Sequence, residues 1–124
     1  MVIFDSNIIV DALRQKRSAL DLIEAYSEKE KLAITIINKY EVLRGFMEKD
    51  ESMVSGLLRQ FVIYELTDSA ITEAIKAYNK LAEKGKMIGE LDMLIAGIVA
   101  ANNETLVTRD KDFLNLENPK ITVA

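Results

Sequence analysis

A three-layer α/β fold is what this sequence predicts: a central parallel sheet of about five short strands flanked by helices. Three observations lead there. Short apolar runs recur along the chain, they alternate with stretches of helical periodicity, and no Pro/Gly/Ser-rich linker or shift in composition interrupts them. A single domain over residues 1–124 is therefore expected, with the only proline, Pro119, near the end.

Val2, Ile3 and Phe4 form the first apolar run, a buried strand that stops at Asp5-Ser6-Asn7, read as a polar turn. Ala19, Leu22, Ile23 and Tyr26 repeat at helical spacing. Leu32 to Ile36 is a second strand, followed by a helix marked by Ile37, Tyr40, Leu43 and Met47, with Tyr40 and Leu43 facing the core. Gly45 inside that helix costs about 1 kcal/mol relative to Ala and suggests close approach by another backbone or a ligand. Residues 51–60 continue helical, and Phe61 to Leu66 is a third strand. Ile71, Ala74, Ile75, Tyr78, Leu81 and Ala82 trace an amphipathic helix, capped by Thr67 or Ser69 and ended by Gly85. Leu91, Leu94, Ile95, Ile98 and Val99 mark another helix. Thr105 to Thr108 is a strand, and Ile121 to Val123 a last short one. Strands alternating with helices in this way imply a parallel sheet with right-handed crossovers, whose ligands bind beyond the carboxyl ends of the strands.

Composition narrows the chemistry. The chain has 49% apolar residues, enough for a core, and 29% charged ones, so it is neither disordered nor membrane-embedded. No apolar run approaches the roughly 20 residues of a bilayer span. The first residues follow a strand pattern rather than that of a signal peptide, so a cytoplasmic location is expected. With no Cys and no His, thiolate catalysis, zinc-thiolate sites and a histidine base are excluded. A hydrolase built from this chain must use carboxylates, Lys, Tyr or a hard metal ion. The net charge of −4 weighs against a nucleic-acid partner. That weight lightens if four of the 20 acids surround a cation, because the other acids then equal the 16 bases.

Two acids stand where the sheet rule points: Asp5 after the first strand, and Asp110 after the strand ending at Thr108. Each alone is more often a turn residue or a helix cap than a ligand. Asp92 opens a helix with no charged residue from Met93 to Ala101. A helix apolar almost all round is buried, so its first turn should lie inside the protein near a sheet end. Glu41 lies beside the apolar stripe of its helix. Carboxylates do not crowd a buried crevice unless a cation neutralises them. Oxygen ligands without His or Cys select Mg²⁺ or Mn²⁺, which bind phosphate oxygens and lower the pKa of a bound water. The four carboxylates are expected within metal-bridging reach even without a ligand.

The segments Val2 to Leu13, Tyr40 to Gly45, Gly89 to Ala96 and Leu106 to Phe113 resemble, in order and spacing, the PIN domain family, specifically the small VapC-like toxins of prokaryotic toxin–antitoxin pairs. The resemblance runs from residue 2 to about 116. It implies a Mg²⁺- or Mn²⁺-dependent ribonuclease, a homodimer and inhibition by a cognate antitoxin. It implies that Asp5, Glu41, Asp92 and Asp110 form the catalytic quartet, with Asp5, Asp92 and Asp110 on the metal. Asn7 and Thr108 match polar positions that orient the carboxylates, and Ser6 stands where the family often has Thr. Asp112 competes with Asp110 for the fourth place; Asp110 is favoured because it is nearer the strand end.

Lys39, Arg44 and Arg109 flank these motifs, as contacts to an RNA phosphate or as counter-charges to the carboxylates. Arg14, Lys16 and Arg17 form a basic cluster that either holds phosphates or is a solvated turn. Each of Met47, Met53, Leu57, Leu58 and Phe61 singly reads as ordinary core, while together they suggest an antitoxin groove or a dimer face. Two other classes compete: a non-catalytic PIN-like RNA-binding module, and a phosphoacceptor receiver domain. The receiver ranks low, because Asp5 ends the first strand and Arg109, not Lys, follows the late one.

Overall fold

In the computed structural model, which describes residues 1–46 and 51–124, five parallel strands stand in the order β3-β2-β1-β4-β5. They are β1 (Val2–Phe4), β2 (Leu32–Thr35), β3 (Val62–Tyr64), β4 (Thr105–Thr108) and β5 (Lys120–Val123). Six helices connect them: α1 (Ser6–Leu13), α2 (Arg17–Ser27), α3 (Ile36–Phe46), α4 (Glu51–Leu58), α5 (Asp68–Glu83) and α6 (Glu90–Ala101), with a 3₁₀ turn at Lys111–Asn115. Met47, one of the apolar residues singled out from the sequence, lies outside the described residues. No helix among those described is long and apolar enough to cross a membrane.

The chain lays down β1 to β3 toward one edge, then returns to the other side of β1 with β4. The reversal falls between β1 and β4, in register Phe4 to Val107, and the Asp5 N–H extends the ladder to the Val107 carbonyl at 2.9 Å. Side chains alternate across the sheet and split the core in two. Val2, Phe4, Leu32 and Ile34 pack with Ile8, Ile9, Ile23, Val42, Val54 and Phe61 on one face. Ile3, Ala33 and Leu106 pack with Leu81, Ile95, Val99 and Phe113 on the other. Phe4 meets the edges of Tyr26 and Phe61 at centroid distances of 5.5 and 6.2 Å, an arrangement aromatic quadrupoles favour.

Three local expectations are corrected. The segment after β1 is a helix, not an extended polar turn: Asp5 has extended φ/ψ, caps α1 by accepting the Ser6 N–H at 2.8 Å, and Ile8, Ile9, Ala12 and Leu13 are buried. Tyr40 faces outward at 54% exposure, because α3 turns Asn38 and Val42 to the core instead. Leu58 and Phe61 are core residues, as each read singly, and Met53 and Leu57 pack against the same cluster. An apolar surplus sits instead on α5, where Ile71, Ile75 and Tyr78 are exposed while Ala70, Ala74 and Leu81 are buried. The caps of α5 are as expected, with Thr67 Oγ1 accepting the Ala70 N–H at 3.1 Å and Gly85 at φ 67.

Small residues explain which side of α5 is buried. A Cβ on Gly97 of α6 would collide with the Ala70 carbonyl and come within 2.8 Å of Ala74 Cβ, so the two helices approach as closely as backbones allow. Among the described residues, nothing lies within 4 Å of a Cβ placed on Gly45, which was expected to be the point of close approach. The two glycines should therefore respond oppositely to alanine. Gly97→Ala should lose about 1–3 kcal/mol through overpacking, whereas Gly45→Ala should gain up to about 1 kcal/mol from helix propensity. Urea denaturation of both variants checks the pair, and a stabilised Gly97→Ala would refute the close α5–α6 packing.

Candidate active site

Four elements bring acids to the carboxyl end of the sheet. Asp5 follows β1 and Asp110 follows β4, at the point where the strand order reverses. Glu41 comes from the second turn of α3, and Asp92 from the first turn of α6. Asp5 is 5% exposed; Glu41, Asp92 and Asp110 are half-buried.

Their electrostatics show that they face one another. Burial raises the Asp5 carboxyl above its ordinary value; the Thr108 hydroxyl and Ser6 N–H oppose that rise, and Glu41 and Asp110 add to it. Asp92 is pushed up to about 6, first by burial and then by the charges of Asp5, Glu41, Asp110 and Asp112. The charges that act most strongly on Asp92 are thus all acidic. Among the described residues, however, no three carboxylates stand in a ready metal-ligating group, contrary to expectation.

Neutral donors hold these acids. Thr108 Oγ1 donates to Asp5 Oδ2 at 2.7 Å and accepts the Asp110 N–H at 3.0 Å, so one hydroxyl ties the two strand-end acids together. Ser6 does the same on the other side: its N–H donates to Asp5 Oδ1 and its hydroxyl to Glu41 Oε1 at 2.6 Å. Asn7, expected to orient a carboxylate, is exposed on α1, and its side chain makes no hydrogen bond among the described residues. The family position with a hydroxyl, one residue earlier, takes that part. Asp110 caps the 3₁₀ turn by accepting the Asp112 N–H at 2.9 Å, whereas Asp112 is exposed in its first turn.

The three flanking cations are occupied or turned elsewhere. Arg109 donates to Asp11 Oδ2 at 2.7 Å and to Ser18 Oγ at 3.1 Å, and Lys16 joins Asp11 at 3.3 Å. Arg109 thereby ties the end of β4 to α1 and to the first turn of α2. Arg44 lies over the Tyr40 ring, 5.3 Å from its centroid. Lys39 lines a groove with Leu43, Ser55, Leu58, Arg59, Phe61 and Ile63 between α3, α4 and β3. Sequence reasoning missed Ser6 as a donor and Asn38 entirely; Asn38 reads as a surface residue, and only the helix phase buries it.

A profile described as PIN domain matches residues 2–119, and the chain belongs to the PIN domain family. Among individual proteins, it is 27% identical over 111 residues to Ribonuclease VapC1 of Methanocaldococcus jannaschii, covering 89% of this chain and 76% of that one. Its fold resembles that of VapBC2 from Rickettsia felis, solved bound to a promoter DNA fragment, with TM-score 0.90, 25% identity and coverage of 100% and 99% of the two chains. The DNA-bound VapBC of Salmonella typhimurium shares the fold at TM-score 0.86 and 18% identity, covering 98% of this chain and 96% of that one.

The raised Asp92 value has a consequence for stability. Between its ordinary 3.8 and about 6, the folded protein keeps a proton that the unfolded chain has released. Folding stability from this group therefore falls as pH rises through that window and stays low above it. Asp92→Asn should melt at a higher temperature than the wild type at pH 7 without divalent cations, with the gap closing as pH falls toward 4. Identical melting curves at pH 7 would show that the acids do not strain the fold.

Proposed function

We propose that this protein is a divalent-metal-dependent endoribonuclease, the toxin of a VapBC-type toxin–antitoxin pair, that hydrolyses RNA phosphodiesters at the acidic cluster. The observation that carries the reading is the cluster itself: acids from four elements, crowded enough to raise Asp5 and Asp92, with no cation among the charges acting most strongly on them. The ribonuclease name of the archaeal relative supports the substrate class.

The donor set fits a hard cation, because it is all oxygen and lacks the charge that would neutralise it. Asp5, Asp92 and Asp110 would hold Mg²⁺ or Mn²⁺. The ion, when bound, supplies Lewis-acid stabilisation of phosphate charge and activates water. Glu41 is the acid left to accept a proton from the attacking water, held toward the site by the Ser6 hydroxyl. Thr108 keeps Asp5 and Asp110 on one side of the cluster. Asp112, exposed at the rim, is a supporting charge. Arg109 braces the Asp110 segment, and Arg44 with Tyr40 forms an exposed plate one turn from Glu41 for the RNA strand.

Two partners complete the reading. The groove lined by Lys39, Leu43, Leu58, Arg59 and Phe61 suits an antitoxin peptide with apolar and acidic side chains. The exposed stripe of Ile71, Ile75 and Tyr78 on α5 suits a homodimer face. A cytoplasmic location belongs with such a pair.

Asp5→Asn should keep the fold and lower RNA cleavage in Mg²⁺ or Mn²⁺ by roughly a hundredfold or more, and EDTA should abolish wild-type cleavage. Equal cleavage by both proteins would overturn the proposal. Absence of cleavage together with absence of Mn²⁺ binding would leave a PIN-like RNA-binding module instead.

A further inference from the structure

The hydrogen bonds behind Glu41 run in one direction only, and Asn38 sets that direction. Thr35 and Asn38 form a reciprocal cap at the start of α3: the Asn38 N–H donates to Thr35 Oγ1 at 3.1 Å, and the Thr35 N–H donates to Asn38 Oδ1 at 2.9 Å. The Thr35 hydroxyl also donates to Asn38 Oδ1, at 2.8 Å. A backbone N–H cannot accept, so Asn38 Oδ1 must face Thr35 and its amide nitrogen must face outward. That nitrogen lies 2.9 Å from Ser6 Oγ and can only donate. Ser6 Oγ therefore accepts from Asn38, and its own proton goes to Glu41 Oε1, 2.6 Å away.

Burial closes the alternatives. Thr35 and Asn38 are fully buried and Ser6 is 8% exposed, so no bulk water competes for the Ser6 hydroxyl. Glu41 Oε2 has no hydrogen-bond partner among the described residues. One oxygen of Glu41 is thus pinned from behind, and the other is left for the site.

We propose that Asn38 is a positioning residue for the phosphodiester chemistry: by donating to Ser6 Oγ it commits the Ser6 proton to Glu41 and fixes the carboxylate that faces the attacking water. This rests on the ribonuclease reading above. The competing role is that Asn38 merely caps α3. Asn38→Asp separates the two, because Asp keeps an oxygen for Thr35 and so preserves the cap, but offers Ser6 an acceptor in place of a donor. The Ser6 hydroxyl then turns toward residue 38, and Glu41 loses its donor.

The test is a double-mutant cycle on a labelled oligoribonucleotide that the wild type cuts in Mn²⁺. Asn38→Asp and Ser6→Ala should each lower kcat by about tenfold or more, the scale of losing a charge-assisted hydrogen bond. KM should stay within about twofold, and the double variant should be no slower than Ser6→Ala alone. Ser6→Thr, which keeps the hydroxyl, should restore cleavage. Thr67→Ala removes the cap of α5, an element that carries none of the four acids, and should leave kcat within about twofold, controlling for lost stability. Additive losses in the cycle, or an equal loss in Thr67→Ala, would reduce Asn38 to a cap and overturn the proposal while the ribonuclease reading stands. A wild type that cuts no RNA would end both. Should Asn38→Asp fail to fold, hydrogen exchange of the wild-type Asn38 side-chain amide decides the matter. Strong protection is expected; exchange at the rate of a solvated amide would overturn the relay.

Discussion

Like charges gathered at the carboxyl end of a parallel sheet are the constraint on which the rest of this structure depends. Burial disfavours the ionised form of Asp5, and each neighbouring acid disfavours it further; the same two effects raise Asp92. A fold that placed Lys or Arg among these acids would relieve the strain and fill the site. Here the relief comes from neutral donors instead: the Ser6 N–H, the Ser6 hydroxyl and the Thr108 hydroxyl. Neutral donors orient carboxylates and soften repulsion without supplying a full positive charge. The missing charge is left to a ligand.

Holding repelling groups in place requires rigid mounts, and each acid has a different one. Asp5 and Asp110 continue β1 and β4, two adjacent strands whose own side chains are almost all buried. Asp92 rides on α6, which is pressed against α5 through the bare backbone of Gly97. Glu41 rides on α3, whose start is locked by the Thr35–Asn38 cap. No single core half controls the cluster: Phe4 and Val42 belong to one, Ile95 and Leu106 to the other. The site thus lies across the sheet layer, and its geometry depends on both halves packing correctly.

Much of this was legible in the sequence, and the failures have common physical roots. Strand positions were plain because a doubly covered strand is a continuous apolar run, as in Leu32–Thr35. Helix α6 was plain because it is apolar almost all round, and that same feature placed Asp92 inside. Helix α1 was missed because Ser6-Asn7 after a strand has turn chemistry, whereas the structure uses Asp5 as a cap and buries the β-branched run behind it. The phase of α3 was misjudged because its buried side includes Asn38, which does not announce burial, while on α5 the expected stripe divides, with Ala74 and Leu81 buried and Ile71, Ile75 and Tyr78 exposed. Large apolar residues drew the reading to Tyr40, Ile75 and Tyr78, which the structure leaves exposed. The direction of hydrogen bonds at Ser6 is invisible to any sequence pattern, because it is decided by a backbone N–H at Thr35, 29 positions along the chain from Ser6.

The acidic balance of the chain and an RNA substrate are reconciled by the same constraint. Two of the basic side chains beside the acidic motifs are already engaged, Arg109 with Asp11 and Ser18 and Arg44 with Tyr40. A metal-free cluster of this charge repels a phosphodiester, and the short screening length of about 8 Å at physiological salt confines that repulsion to the site. A dication bound among the four acids reverses the sign felt by a phosphate at contact distance. On the ribonuclease reading, affinity for the polyanion is therefore local and conditional on the ion, not a property of the whole surface. A net charge of −4 is then no obstacle, since a surface with little basic excess gives up the non-specific hold on nucleic acid that such patches provide and leaves engagement to the metal-loaded site.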